Sequence, residues 1–109
     1  MATTYKVLGQ VAPSATTATT AYTVPSATQT VISSIVIANR AATSATFRIA
    51  VRPNGATLAN EHYLAYDVTV GASDSTVLTL GITIDASDVV TVYASTANLS
   101  FNLFGSEIA

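Results

Sequence analysis

The sequence predicts an all-β fold: a single antiparallel β-sandwich, jelly-roll or immunoglobulin-like, of roughly eight strands. Three observations lead there. Apolar and polar residues alternate with the two-residue period of a half-buried strand in one segment after another. Clusters of Gly, Pro, Asn and Asp separate those segments at the spacing of turns. No window carries a 3.6-residue apolar period between helix caps.

Residues 3–8 predict a short first strand, Tyr5 and Val7 against Lys6 and Leu8, closed by Gly9. Residues 11–29 are dominated by Ala, Thr and Ser, a composition that also suits a mucin-like linker. Tyr22 and Val24 in phase within a β-forming stretch favour an extended edge strand there. Residues 1–24 are therefore read as an N-terminal arm or edge strand of one domain spanning 1–109. Residues 31–38 are the strongest strand signal. Val31, Ile35 and Ile37 fall on one face and Ile32, Val36 and Ala38 on the other, as expected of a central strand with both faces covered. Residues 46–52 alternate Phe47, Ile49 and Val51 with Arg48, Ala50 and Arg52, predicting a hairpin partner for 31–38 with one dry face and one wet, basic face.

Pro53-Asn54-Gly55 is a turn signal. The segment 61–70 predicts a strand with Leu64, Tyr66, Val68 and Val70 on one side and Tyr63, Ala65, Asp67 and Thr69 on the other. After a turn at 71–74, residues 75–84 predict a single strand with Leu78, Leu80, Ile82 and Ile84 inward. Asp85 to Asp88 turn the chain again, and 89–94 places Val90 and Val92 opposite Val89, Thr91 and Tyr93. The last strand has Leu99, Phe101 and Leu103 inward, and 105–109 reads as a short tail.

Composition narrows the function classes. Half of the 109 residues are hydrophobic and only 9% are charged, well below the quarter typical of soluble domains. Such a neutral surface repels its copies weakly and suits a protein packed into an assembly. One lysine and three arginines at a net charge of −2 make no phosphate-neutralising patch, so no nucleic-acid partner is expected. With no cysteine there is no disulfide, thiol nucleophile or thiolate metal site. No signal-peptide core or membrane-length apolar run is seen, and no membrane partner is expected.

No catalytic residue, metal site or cofactor is expected. His62, the only histidine, stands beside Glu61 and Tyr63, but adjacent strand residues point to opposite faces and catalysis needs a second positioned group. The three residues are read as a polar strand end, satisfied by neighbours or by a partner subunit. Asp85 and Asp88 suit turn hydrogen bonding better than calcium, which wants six or more oxygens. The tyrosines suit core and interface roles better than sugar stacking, since they are scattered over different strands. Arg40, Arg48 and Arg52 are candidates for interfacial ion pairs in a chain so poor in charge, alongside the alternative of solvated surface arginines.

Four phrases carry a resemblance: Tyr22 to Pro25 (YTVP), Val36 to Arg40 (VIANR), Thr46 to Pro53 (TFRIAVRP) and Asn60 to Asp67 (NEHYLAYD). With Asp88 to Tyr93 and Phe104 to Glu107, they resemble small virion structural proteins of tailed phages, of the cyanophage and marine-phage type, over nearly the whole chain. That resemblance implies a non-enzymatic particle component, made in the host cytoplasm and residing in the virion. Its partners would be the major capsid protein or other virion proteins. A capsid cement or decoration subunit is expected ahead of a tail, baseplate or fibre module. Sparse charge and the Thr-rich N-terminal region further predict a homo-oligomer, a trimer ahead of a dimer, with contacts among Arg40, Arg48, Arg52, Glu61, His62 and Tyr63.

Overall fold

A computed structural model describes residues 2–109. These residues form nine strands: β1 (Thr3–Val11), β2 (Thr19–Thr23), β3 (Gln29–Asn39), β4 (Ala45–Arg52), β5 (Tyr63–Val70), β6 (Ser75–Leu78), β7 (Ile82–Ile84), β8 (Val89–Ala94) and β9 (Leu99–Ile108). Two single 3-10 turns, Pro53–Gly55 and Asn60–His62, lie between β4 and β5. One sheet has the order β1-β9-β3-β6, with β7 also on β3, and the other the order β2-β8-β4-β5. Among the described residues no helix is long and apolar enough to cross a membrane.

The topology follows from nested antiparallel pairs. If β6 and β7 are taken as one interrupted strand, β1 pairs β9, β2 pairs β8, β3 pairs β6 and β7, and β4 pairs β5. These pairs make one long hairpin. Wrapping it so that β9 also meets β3, and β8 also meets β4, produces two facing sheets. That is the jelly-roll arrangement, one of the two sandwich topologies the sequence left open. The slab measures 45 × 28 × 19 Å, and its least dimension fits two sheets about 10 Å apart with their outer side chains.

One apolar layer fills the space between the sheets. Ile32, Ile35 and Ile37 of β3 and Leu99, Phe101 and Leu103 of β9 meet Phe47 and Ile49 of β4 and Val90 and Val92 of β8. Phe47 and Phe101 pack edge to face across the layer, with centroids 6.2 Å apart. Of the inward residues expected of 46–52, 89–94 and 99–103, all are buried except Val51, which is half-buried against the edge of the layer.

Elsewhere the alternation is interrupted, for identifiable reasons. β3 and β4 are not a hairpin: they lie in opposite sheets, and residues 40–44 carry the chain across. In β3 the register to β9 shifts between Ile32 and Ser34, opposite Gly105 and Phe104. This bulge puts Ile32 on the same buried face as Ile35 and Ile37, and leaves Val31 and Val36 half-buried outside. Gly105 is required there, because a Cβ would collide with the Val31 carbonyl oxygen. Residues 75–84 are two short strands instead of one. β6 pairs with Ile35 to Ala38 and β7 with Thr30 to Ile32, on either side of the β3 bulge at Ser33, and the chain breaks at 79–81, where Gly81 takes φ +63° and Leu80 is turned out to solvent. Residues 105–108 are no tail; they extend β9 between β1 and β3. Residues 3–11 and 19–23 occupy edge positions in the chain's own sheets, so β1 continues through Gly9.

Because Phe47 is fully buried and touches the opposite sheet, Phe47→Ala is expected to destabilise the fold by about 3–5 kcal/mol in denaturant titrations. A loss below about 1 kcal/mol would contradict its place in the core.

Candidate functional site

The outer face of the four-stranded sheet gathers one constellation around Arg48. Arg48 sits directly opposite Tyr93 of β8. On the other side β5 bulges: the register jumps from Phe47–Val68 to Ile49–Ala65, so Tyr66 and Asp67 both oppose Arg48. Asp67 adopts φ +52°, a left-handed conformation that Asp tolerates better than most residues. This re-aims its carboxylate at the guanidinium. Arg48 Nε donates to Asp67 Oδ1 at 2.7 Å and Nη2 to Oδ2 at 3.4 Å. The guanidinium carbon lies 4.1 Å from the Tyr66 ring centroid and 4.2 Å from that of Tyr93. Tyr63 meets Tyr66 edge to face at 4.9 Å. The Asp67 hydrogen bond raises the Arg48 pKa further above its ordinary value, so the charge is permanent and already paired.

A second β5 irregularity falls at Leu64, between the Ala65–Ile49 and Tyr63–Ala50 pairs. Together the bulges scramble the face expected for Leu64, Tyr66, Val68 and Val70: only Val70 is buried, and Leu64, Tyr66 and Val68 are exposed. The wet face expected of β4 is also incomplete, since Ala50 is buried.

Three of the remaining sequence candidates, Arg52, Arg40 and His62, are held within the chain. Arg52 Nε donates to Thr91 Oγ1 at 3.0 Å, and its Nη1 donates to the carbonyls of Gly55 and Ala56 at 3.2 and 2.9 Å. It therefore fastens the loop after β4 to the sheet. Arg40 Nη2 donates to the Ala97 carbonyl at 3.0 Å, joining two interstrand loops. His62 belongs to a 3-10 turn in place of the expected strand, and its Nδ1 accepts the Ala59 N–H at 3.0 Å. Glu61 beside it is exposed. Of the six, the structure brings only Arg48 and Tyr63 into one cluster. The partners Tyr66, Asp67 and Tyr93 were not singled out from the sequence, because a bulge cannot be read from alternation.

The Asp85–Asp88 segment is a turn, as expected. Asp88 Oδ2 accepts the Asp85 N–H and its Oδ1 the Asn54 N–H, both at 2.8 Å. Among the described residues no group of three His, Cys, Asp or Glu side chains is placed to hold a metal.

A second polar group closes one end of the sandwich. Tyr22 Oη on β2 donates to Glu107 Oε2 on β9 at 2.5 Å and lies 2.9 Å from Thr30 Oγ1, while Lys6 Nζ donates to Glu107 Oε1 at 3.1 Å. The single phenolic proton is committed to Glu107, so the Thr30 hydroxyl donates to Tyr22. Burial, then the Glu107 carboxylate, pushes the Tyr22 hydroxyl up to about 12. The Tyr22 hydrogen bond, ahead of Lys6, holds the Glu107 carboxyl below its ordinary range. The signal for Glu107 was available, since it continues the inward phase of Leu99, Phe101 and Leu103.

The outer face of the five-stranded sheet is chemically different. By register, Tyr5, Val7 and Gln10 of β1, Asn102, Phe104 and Ser106 of β9, Val31 and Val36 of β3 and Val77 of β6 project from it. Among the described residues no Lys, Arg, Asp or Glu projects from that face by register; Lys6 borders its groove, with its ammonium turned to Glu107. Tyr5 is 84% exposed and Val77 58%, and a shallow groove runs between Tyr5, Val31 and Phe104. No protein-family model and no curated protein matches this chain.

The Tyr22–Glu107 pair predicts stability losses at both ends of the pH scale. Glu107's folded pKa is depressed, so its contribution is present above the ordinary value of 4.5 and is lost as pH falls through the lower folded value. Tyr22's is raised, so its contribution is present below pH 10.0 and is lost as pH climbs to about 12. Glu107→Gln is expected to flatten the acid limb of a melting-temperature profile; an unchanged acid limb would contradict the assignment.

Proposed function

We propose that this chain is a non-enzymatic structural subunit of a tailed-phage particle, a cement or decoration protein that stabilises the head by binding the major capsid protein and sister copies. The observation that carries the reading is the uncharged outer face of the five-stranded sheet, with Tyr5, Val7 and Val77 exposed on it. An uncharged face of this kind, with exposed Tyr and Val side chains, gains by burial against another protein and has little electrostatic reason to stay in water. Sparse charge over the whole chain and the virion-protein phrases in its sequence support the same reading. Jelly rolls serve in viral capsids, but equally in lectins, so the fold adds only analogy.

On this reading the work is mechanical. The neutral face covers capsid surface, with affinity from apolar burial and main-chain pairing. The Arg48 cluster keeps the opposite face rigid: its charge is paired with Asp67 and its rings are mutually packed. The alternative is a tail, baseplate or fibre module. It draws on the exposed Tyr66 ring beside Tyr63, which offers a surface on which a glycan could stack.

Cryo-EM of the intact particle tests the two. The proposed function expects density for this fold on the head, at the copy number of the capsid lattice, with the five-stranded face turned inward. Density confined to the tail would replace it with the alternative, and absence from the particle would overturn both.

A further inference from the structure

A jelly roll has four sheet edges, and here three of them are blunted. β5 carries two bulges, β6 and β7 are interrupted at 79–81, and β2 is five residues long with its own register shift between Thr20 and Tyr22. Bulges, breaks and short length are the usual protections of an edge against pairing with another chain. The fourth edge, β1, is nine residues long and carries one charge, Lys6, but over Thr3 to Val7 it has neither bulge nor break: its register to β9 first shifts between Val7 and Gly9.

The hydrogen-bond phase of this stretch is fixed by its neighbour. Ala2 and Ala109 exchange both main-chain bonds, at 2.8 and 2.9 Å. Antiparallel pairs alternate between bonded and non-bonded, so Thr4–Glu107 and Lys6–Gly105 are bonded pairs. The N–H and C=O groups of Thr3, Tyr5 and Val7 therefore point away from β9, at the open edge. All three residues are exposed, and their side chains lie on the uncharged outer face.

We infer that β1 pairs with β1 of a second copy of this chain, antiparallel and with Tyr5 on the two-fold axis, joining two five-stranded sheets into one. In that register Thr3 meets Val7 of the second copy and Tyr5 meets Tyr5, so every outward N–H and C=O between Thr3 and Val7 finds a partner. The charges are compatible. Lys6 faces Thr4 of the second copy and is spared a second lysine, while its own Glu107 stays within 3.1 Å. On the outer face the side chains across the seam are Thr, Tyr and Val, and the two uncharged faces become continuous. A self-complementary strand edge is what a two-fold contact requires, and it makes dimers.

This rests on the sister-copy part of the proposed function and deepens it. The test uses purified chain without particles, so its failure leaves the capsid contact standing, and absence of the protein from the head leaves this pairing standing.

Sedimentation velocity at about 100 μM is expected to show a dimer. Tyr5→Lys, at a site 84% exposed, sets like charges face to face on the axis and should weaken dimerisation at least about tenfold while the circular dichroism and melting temperature hold. Tyr5→Pro removes only an outward N–H and should do the same. Mixing Tyr5→Lys with Tyr5→Glu should restore a dimer. A monomeric or trimeric wild type, a Tyr5→Lys variant that dimerises as before, or a mixture that stays monomeric would each overturn the inference.

Discussion

The pairing of β9 with β3 is the contact on which the rest of the structure depends. They are the two longest strands, and their register runs from Gln29–Ile108 to Asn39–Leu99. β9 also receives β1, and β3 receives β6 and β7, so every member of the five-stranded sheet is hydrogen-bonded to one of these two. Their inward residues form one wall of the apolar layer, against which Phe47 and Val92 of the other sheet are buried. The bulge at Ser33 and the close approach at Gly105 belong to the same contact. The bulge separates the stretches of β3 that β6 and β7 pair with, while β9 runs on past it to Glu107, whose bond to Tyr22 ties the two sheets at their end.

This arrangement divides the surface by chemistry. The few charges sit in turns, at the sandwich end, at the end of β4 or within the Arg48–Asp67 pair, and two ion pairs, Lys6–Glu107 and Arg48–Asp67, neutralise four of them. The outer face of the five-stranded sheet is left without any. A freely diffusing domain gains solubility from dispersed surface charge. A subunit used in an assembly has no such need once its neutral face is covered, and rigid, internally satisfied faces elsewhere limit what else it binds. The proposed role as a particle subunit is the use to which this division of surface is best suited.

Much of the fold was legible in the sequence, because burial imposes a period of two wherever strands are straight. Phe47 and Ile49, Val90 and Val92, and Leu99, Phe101 and Leu103 were readable on that ground alone. The departures in phase share one cause. A bulge inserts a residue and inverts the phase beyond it, so Ile32 in β3 and Leu64, Tyr66 and Val68 in β5 fell on the wrong sides of a strict alternation. Strand partners were also beyond reach: neighbours in sequence suggested a β3–β4 hairpin, whereas the nested wrapping sends β3 and β4 to opposite sheets. The candidate site suffered from both limits. Arg48 and Tyr63 were named, but Asp67 and Tyr66 reach Arg48 only through the bulge, and Tyr93 only through pairing with a distant strand.

Native-state amide hydrogen exchange tests the dependence on β3 and β9 most directly. If their pairing holds the rest together, the amides bonded between them, around Ile35 to Ile37 and Phe101 to Leu103, should exchange only through global unfolding, with the free energy of the denaturant transition. The amides of β6 and β7, and those of residues 53–62, should open at lower cost. Exchange of the β3–β9 amides through a local opening, with β6 and β7 still protected, would contradict the account.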